Sequence, residues 1–199
     1  NGAAAMRPRS LGSVLVLPVL VLTTATSPAS AGPRVGEFQA DPAPLNQDGQ
    51  ATVTLRQRGT QLTVQLQAAG LDDGVHLAHI HGVRQTQNTC PTLAADADGN
   101  GVVDFAEGLP AYGGVQRTVS NGTDDRGTSL AYTREFTQLD SGAATASIGS
   151  LDQYAFVVHG VDLDGDGAAT NPDVDGDGPD PDDNEISMPA LCGVVGSTG

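Results

Sequence analysis

Ala51-Thr52-Val53-Thr54-Leu55-Arg56 and, beyond Gly59, Gln61-Leu62-Thr63-Val64-Gln65-Leu66-Gln67 decide the fold class of this chain. In the first stretch Val53 and Leu55 alternate with Thr52, Thr54 and Arg56; in the second Leu62, Val64 and Leu66 alternate with polar residues. A period of two sends every apolar side chain to one face of an extended strand, and the turn at Gly59 folds the pair into a hairpin with one face to bury. Further short runs lie on either side: a first strand around Val35 to Ala40, then Val75 to His81, Leu130 to Leu139, Ala143 to Ile148 and Tyr154 to His159. They are separated by the turn signals Asp73-Gly74, Asn121-Gly122 and Ser141-Gly142. No stretch keeps a helical period. With 26 Gly and 12 Pro, the chain reads as an all-β protein, an antiparallel sandwich or Greek-key barrel.

Upstream of the strands, Arg7 and Arg9 precede an apolar run from Leu11 to Leu22, and Ala29-Ser30-Ala31 follows. A basic start, a run too short to span a bilayer and a small-residue exit are the pattern of a secretory signal. Residues 1–31 are therefore expected to be removed, with residues 1–5 upstream of the signal's own Met6, and residues 32–199 to form one domain. A retained N-terminal anchor is the competing reading. Loss of Arg7 and Arg9 takes the net charge from −15 to −17, since all 24 acidic residues lie beyond Gly32. Every basic residue is Arg. Such a surface argues against nucleic acid or an anionic membrane as partner, and for bound cations that offset the repulsion.

The two cysteines, Cys90 and Cys192, suit one long-range disulfide in an oxidising compartment, with free thiols or a cysteine metal site as the alternatives. Four histidines carry the candidate chemistry. His79 and His81 stand two apart on a strand, so they leave the same face and can grip one ion. His76 has the opposite parity and fits a supporting hydrogen bond. His159 ends the apolar run Tyr154-Ala155-Phe156-Val157-Val158, where a lone histidine fits a core or rim position equally well.

Together these features acquire a family likeness. Gly74-Val75-His76-Leu77-Ala78-His79-Ile80-His81 resembles the Gly-x-His-x-x-His-x-His strand of Cu/Zn superoxide dismutases. Cys90 follows at that family's spacing, Phe156-Val157-Val158-His159 looks like the strand of its remaining copper histidine, and Ala190-Leu191-Cys192-Gly193-Val194-Val195-Gly196 is similar to its carboxy-terminal cysteine segment. The resemblance implies an eight-stranded Greek-key barrel, a Cys90–Cys192 disulfide, copper held by His79, His81 and His159, a structural His76, and superoxide as substrate. Two departures cut against catalysis. Asp96 occupies the place of the family's metal-bridging histidine, with no further histidine to build a zinc site. Pro189 occupies the place of the arginine that guides superoxide, and a chain of net charge −17 repels that anion.

Calcium chemistry is legible where the zinc loop would be. Asp96-Ala97-Asp98-Gly99-Asn100-Gly101-Val102-Val103-Asp104-Phe105-Ala106-Glu107 fits the twelve-residue EF-hand loop. Asp96, Asp98 and Asn100 supply oxygens, Gly101 the sharp turn, Val102 its carbonyl, Asp104 a water-mediated contact and Glu107 a bidentate carboxylate. Flanking helices are not evident, so an isolated loop is expected. A second, acidic stretch holds ten of the 24 acids between Asp162 and Glu185. There Asp162, Asp164 and Asp166 open the same pattern with Asp173 at position twelve, and an overlapping start uses Asp173, Asp175 and Asp177. One or two ions, or a solvated acidic loop, are the alternatives.

Three function classes follow: a copper oxidoreductase acting on superoxide, a module that binds copper or zinc without turnover, and a calcium-stabilised structural domain resembling the chordin-like (CHRD) type. All three are all-β with long calcium-binding loops.

Overall fold

In the computed structural model, which describes residues 35–137, 150–170 and 184–199, the quoted hairpin forms with its alternation intact. The strands in chain order are β1 (Val35–Ala40), β2 (Ala43–Pro44), β3 (Gln50–Arg58), β4 (Gln61–Ala69), β5 (Ala78–His81), β6 (Val115–Thr118), β7 (Ser129–Phe136), β8 (Ala155–His159), β9 (Pro189–Val194) and β10 (Gly196–Ser197). The expected signal at 1–31 and the expected strand Ala143 to Ile148 lie outside the described residues.

β3 and β4 pair antiparallel from Gln50↔Ala69 to Arg58↔Gln61, and every second residue of β3 is buried. That register holds because a slip by one residue would turn Val53, Leu55, Leu62, Val64 and Leu66 to solvent. The hairpin sits in a five-stranded sheet of order β10-β1-β3-β4-β7, and the other strands form a second sheet of order β2-β9-β8-β5-β6. One apolar cluster joins the two. It combines Leu55, Leu62, Val64 and Leu66 of the first sheet with Ile80, Phe156, Val158 and Leu191 of the second. The architecture is therefore the expected all-β sandwich. β5 and β6 intervene in sequence between the neighbours β4 and β7 but lie in the opposite sheet, so the chain crosses over the core.

The two sheets differ in how they meet water. The outward residues of β3 are exposed, whereas all five residues of β8 are buried. A strand covered on both faces has no alternation to display, which is why Ala155-Phe156-Val157-Val158 reads as an unbroken apolar run. The cover on the outer face is a second cluster of Tyr112, Ala155, Val157 and Cys192, with Cys90 against it. Tyr112 comes from α1 (Phe105–Tyr112), which departs from the expectation of no helix beside the first acidic loop. Its cause is local: Asp104 and Glu107 form a capping box that satisfies both ends of the first turn. Eight residues are too few to show a helical period in the sequence.

Cys90 and Cys192 form a disulfide, with Cα atoms 5.7 Å apart. It clamps the β5–α1 connection onto β9 and thereby holds α1 over the outer face of the second sheet. Closing a loop of this span is worth about 4–5 kcal/mol in the chain-entropy description. The expected strand Val75 to His81 is shorter than its apolar run, because Val75 makes only an isolated bridge to Arg126 and pairing resumes at Ala78.

Candidate metal centre

Under α1, on the covered outer face of the second sheet, three histidines converge. His79 pairs with Val157 and His81 with Ala155, and His159 lies two residues beyond Val157 on the same face. The ladder shifts register beside two of them, between Ile80 and His81 on the β6 side and between Val158 and His159 on the β9 side. Such bulges re-aim side chains at the end of a strand. The ring centroids lie 5.0 Å (His79–His159), 5.4 Å (His79–His81) and 5.4 Å (His81–His159) apart. Ligand nitrogens from all three residues fall within 4.8 Å of one another. His81 and His159 are buried, at 0 % and 1 % exposure, while His79 forms the wetter edge. Tyr112 meets the His81 ring edge-on at 4.6 Å, and Phe105 stands 6.3 Å from the rings of His81 and His159.

Hydrogen bonds decide which nitrogens face inward. His81 Nδ1 lies 2.8 Å from the Gly113 carbonyl, and His159 Nδ1 lies 2.6 Å from the Ser187 carbonyl. A carbonyl oxygen only accepts, so both Nδ1 atoms carry the proton and donate, which leaves the lone pair on each Nε2. Those two Nε2 atoms face each other at 3.2 Å. Burial holds His81 down at about 4, with the neighbouring His79 adding to that and the Gly113 bond opposing it. Burial, then His79 and His81, hold His159 well below the ordinary histidine value. With both Nδ1 atoms engaged by carbonyls, the two Nε2 atoms are left facing one another, an arrangement that suits a shared cation. Two nitrogens bound to one tetrahedral zinc at about 2.0–2.1 Å stand about 3.3 Å apart, close to the spacing here.

Gly113 reaches His81 because it is glycine. It ends α1 at φ 76°, and a Cβ there would meet the Gly82 backbone at 2.6 Å. His76, predicted to be structural, faces the other way and is fully buried, with Nδ1 3.0 Å from the His159 carbonyl and Nε2 2.9 Å from the Asp72 carbonyl. It ties the end of β8 to the loop that follows β4.

Two acidic loops flank the histidines. In the first, Asp96, Asp98 and Glu107 gather. Asp96 accepts from Gly99 N–H and Gly101 N–H, Asn100 from Val102 N–H, and Glu107 from Ala97, Asp98 and Asp104 N–H. Asp104 is buried and caps α1 by accepting from Glu107 N–H. Asn46 braces this loop through both the N–H and the carbonyl of Val103.

In the second loop Asp162, Asp164 and Glu185 gather. Asp162 accepts from Gly165 N–H and Gly167 N–H, Asp166 from Ala168 N–H, and Glu185 from Leu163, Asp164 and Thr170 N–H. The bonding repeats the first loop position by position, with Glu185 in the place of Glu107. Asp173, Asp175 and Asp177, read as its later ligands, lie outside the described residues. Glu185 was missed by the sequence reading. A signal existed: it is the one Glu among nine Asp between residues 162 and 185, and glutamate is what position twelve of such a loop prefers.

Two comparisons with known proteins bear on this arrangement. A family model described as CHRD domain matches residues 35–165, a span that holds His79, His81, His159 and the whole first acidic loop. No curated protein matches the chain. The match overturns the expected membership of the Cu/Zn superoxide dismutases, a family that the comparison does not return. What that likeness rested on, a His-x-His strand in a β-sandwich with a disulfide, occurs here without the dismutase's bridging histidine or arginine. With about two thirds of its length inside the match, the chain belongs to the CHRD domain family.

Proposed function

We propose that this chain is an exported CHRD domain that holds one copper or zinc ion between His79, His81 and His159 and calcium in its two acidic loops, acting as a binding and structural module. The observation that carries the reading is the pair of Nε2 atoms facing each other at 3.2 Å while both Nδ1 atoms lie within hydrogen-bond distance of carbonyls. Carbonyl-oriented imidazoles are the usual support of a bound metal, and a three-imidazole donor set suits copper and zinc. His79, on the wetter edge, gives the ion its route in, and Phe105 and Tyr112 keep the inner side dry.

The calcium assignment draws on loop chemistry. Asp96, Asp98, Asn100, Val102 and Glu107 stand in the EF-hand order, and Asp162, Asp164, Asp166 and Glu185 reproduce it. Extracellular calcium is millimolar, enough to fill even weak loops of this type. Export is supported by the basic, apolar and small-residue succession in residues 1–31. The disulfide and the CHRD match are compatible with an extracellular protein, and among the described residues no helix is long and apolar enough to cross a membrane. The charge of −15 makes nucleic acid an unsuitable partner.

The test is a titration of the purified protein with zinc and with copper at micromolar concentration, in saturating calcium. One equivalent bound by the wild type and none by His81→Ala or His159→Ala is the expected result. A wild type that binds neither metal would refute the histidine assignment. Calorimetric titration of the metal-free protein with calcium should resolve two sites, and Asp96→Asn and Asp162→Asn should each remove one.

A further inference from the structure

We infer that Glu107 and Glu185 are positioning residues for the histidine site: each closes an acidic loop, and the short segment that carries it ends in the carbonyl that orients a ligand histidine. The inference rests on the reading of His79, His81 and His159 as metal ligands.

The two arrangements are built alike. Glu107 lies in the first turn of α1, and its carboxylate draws together Ala97, Asp98 and Asp104 N–H. A helix of eight residues spans about 12 Å. Pro110 removes one bond from its ladder, Gly113 N–H donating to the Leu109 carbonyl holds its last turn, and the Gly113 carbonyl there accepts from His81 Nδ1–H. Glu185 draws together Leu163, Asp164 and Thr170 N–H with its carboxylate, and takes Val161 N–H on its carbonyl. Two residues on, Ser187 offers its carbonyl to His159 Nδ1–H. The turn between them is held by Ser187 N–H and Oγ–H donating to Asn184, and by Met188 N–H donating to the Asn184 and Glu185 carbonyls.

Each carboxylate thus fixes where a short hydrogen-bonded segment begins, and a carbonyl at the end of that segment orients a ring. Both histidines whose Nε2 atoms oppose each other depend on such a link. Movement of either segment rotates one imidazole away from the shared centre. Adjacent side chains tie the two halves together: Asn46 binds Val103 of the first loop and the Pro189 carbonyl, and Gln47 binds the Gly160 carbonyl and Asp72 N–H beside the second. Occupation of either acidic loop should therefore tighten metal binding at the histidines.

Cobalt(II) is the probe, because its visible bands report ligand geometry as well as binding. In saturating calcium, Glu107→Gln and Glu185→Gln should each weaken cobalt binding about tenfold, the lower end of what outer-shell partners contribute, and should shift the visible spectrum. Leu62→Ala, a core variant in the opposite sheet, should lower the melting temperature yet leave cobalt affinity and spectrum unchanged. If Glu185→Gln fails to fold, Glu107→Gln and calcium-depleted wild type decide, each with the same expected loss. Folded glutamine variants that bind cobalt within twofold of wild type, with its spectrum, would overturn the inference while leaving the metal site standing. A wild type without a cobalt spectrum overturns the metal site itself, and this inference with it.

Discussion

The two acidic loops have the same internal bonding and different chain geometry. From Asp96 to Glu107 is 11 residues, and from Asp162 to Glu185 is 23. Where the first loop closes on its own helix, the second closes on a turn that comes much later in the sequence. Asp104 of the first loop caps α1, and its counterpart is Thr170, whose N–H and hydroxyl both donate to Glu185. Burial differs as well: Glu107 is partly exposed, whereas Glu185 is 0 % exposed. The pair teaches that a ligand pattern is a property of positions in space. Sequence spacing records it only where the chain runs directly between them.

Removing the closing carboxylates should separate the loops most sharply. Glu185→Ala strands three backbone N–H groups and opens a buried site, so we expect a loss of about 3–5 kcal/mol in chemical denaturation; Glu107→Ala, at a wetter site, should lose about 1–2 kcal/mol. Equal losses would erase the distinction drawn from burial.

The histidine site between the loops supplies the next effect, in metal-free protein. His81 is held at about 4 when folded against 6.5 in an ordinary setting. The unfolded chain therefore binds the extra proton first, and stability is lost as pH falls from 6.5 toward 4, by about 3 kcal/mol from this group. Melting temperatures across that range check it, and a flat profile would contradict the burial argument. Saturating zinc should deepen the loss, since protons then compete with the metal as well.

Calcium removal should cost about 2–3 kcal/mol for each loop filled at a hundredfold excess over its dissociation constant. A melting curve that Asp96→Asn lowers and Asp162→Asn does not would mean that only the contiguous loop binds. The smallest expected effect lies at position five, Asn100 in one loop and Asp166 in the other. Asn100→Asp should strengthen calcium binding at the first loop a few-fold and Asp166→Asn weaken it at the second, because ligand charge tunes such sites. Calorimetry resolves both changes.

Much of the sandwich was legible in advance because half-buried strands print their environment as alternation. β1 and the β3–β4 hairpin follow the predicted runs, and β8 was recognised from its apolar run. α1 showed no helical period because it has only eight residues and is held by Tyr112 packing against Ala155 and Val157 far away in sequence; its one local signal was the Asp104–Glu107 capping box. The family likeness went astray for a related reason. A His-x-His strand with a later cysteine describes a local layout, while family membership is carried by the pattern across residues 35–165.

The amino-acid sequence by itself determined the strand alternation, the side of the strand from which His79 and His81 project, and the contiguous loop from Asp96 to Glu107, because each is set by spacing within one element. Tertiary structure decided the rest, including the grouping of His159 with His79 and His81, which the sequence offered only through a family resemblance. It brought His159 from β8 beside the β5 pair, turned Nε2 inward by placing the Gly113 and Ser187 carbonyls, and delivered Glu185 to a loop 23 residues behind it. Contacts between distant segments obey sheet pairing and packing, and neither has a period along the chain.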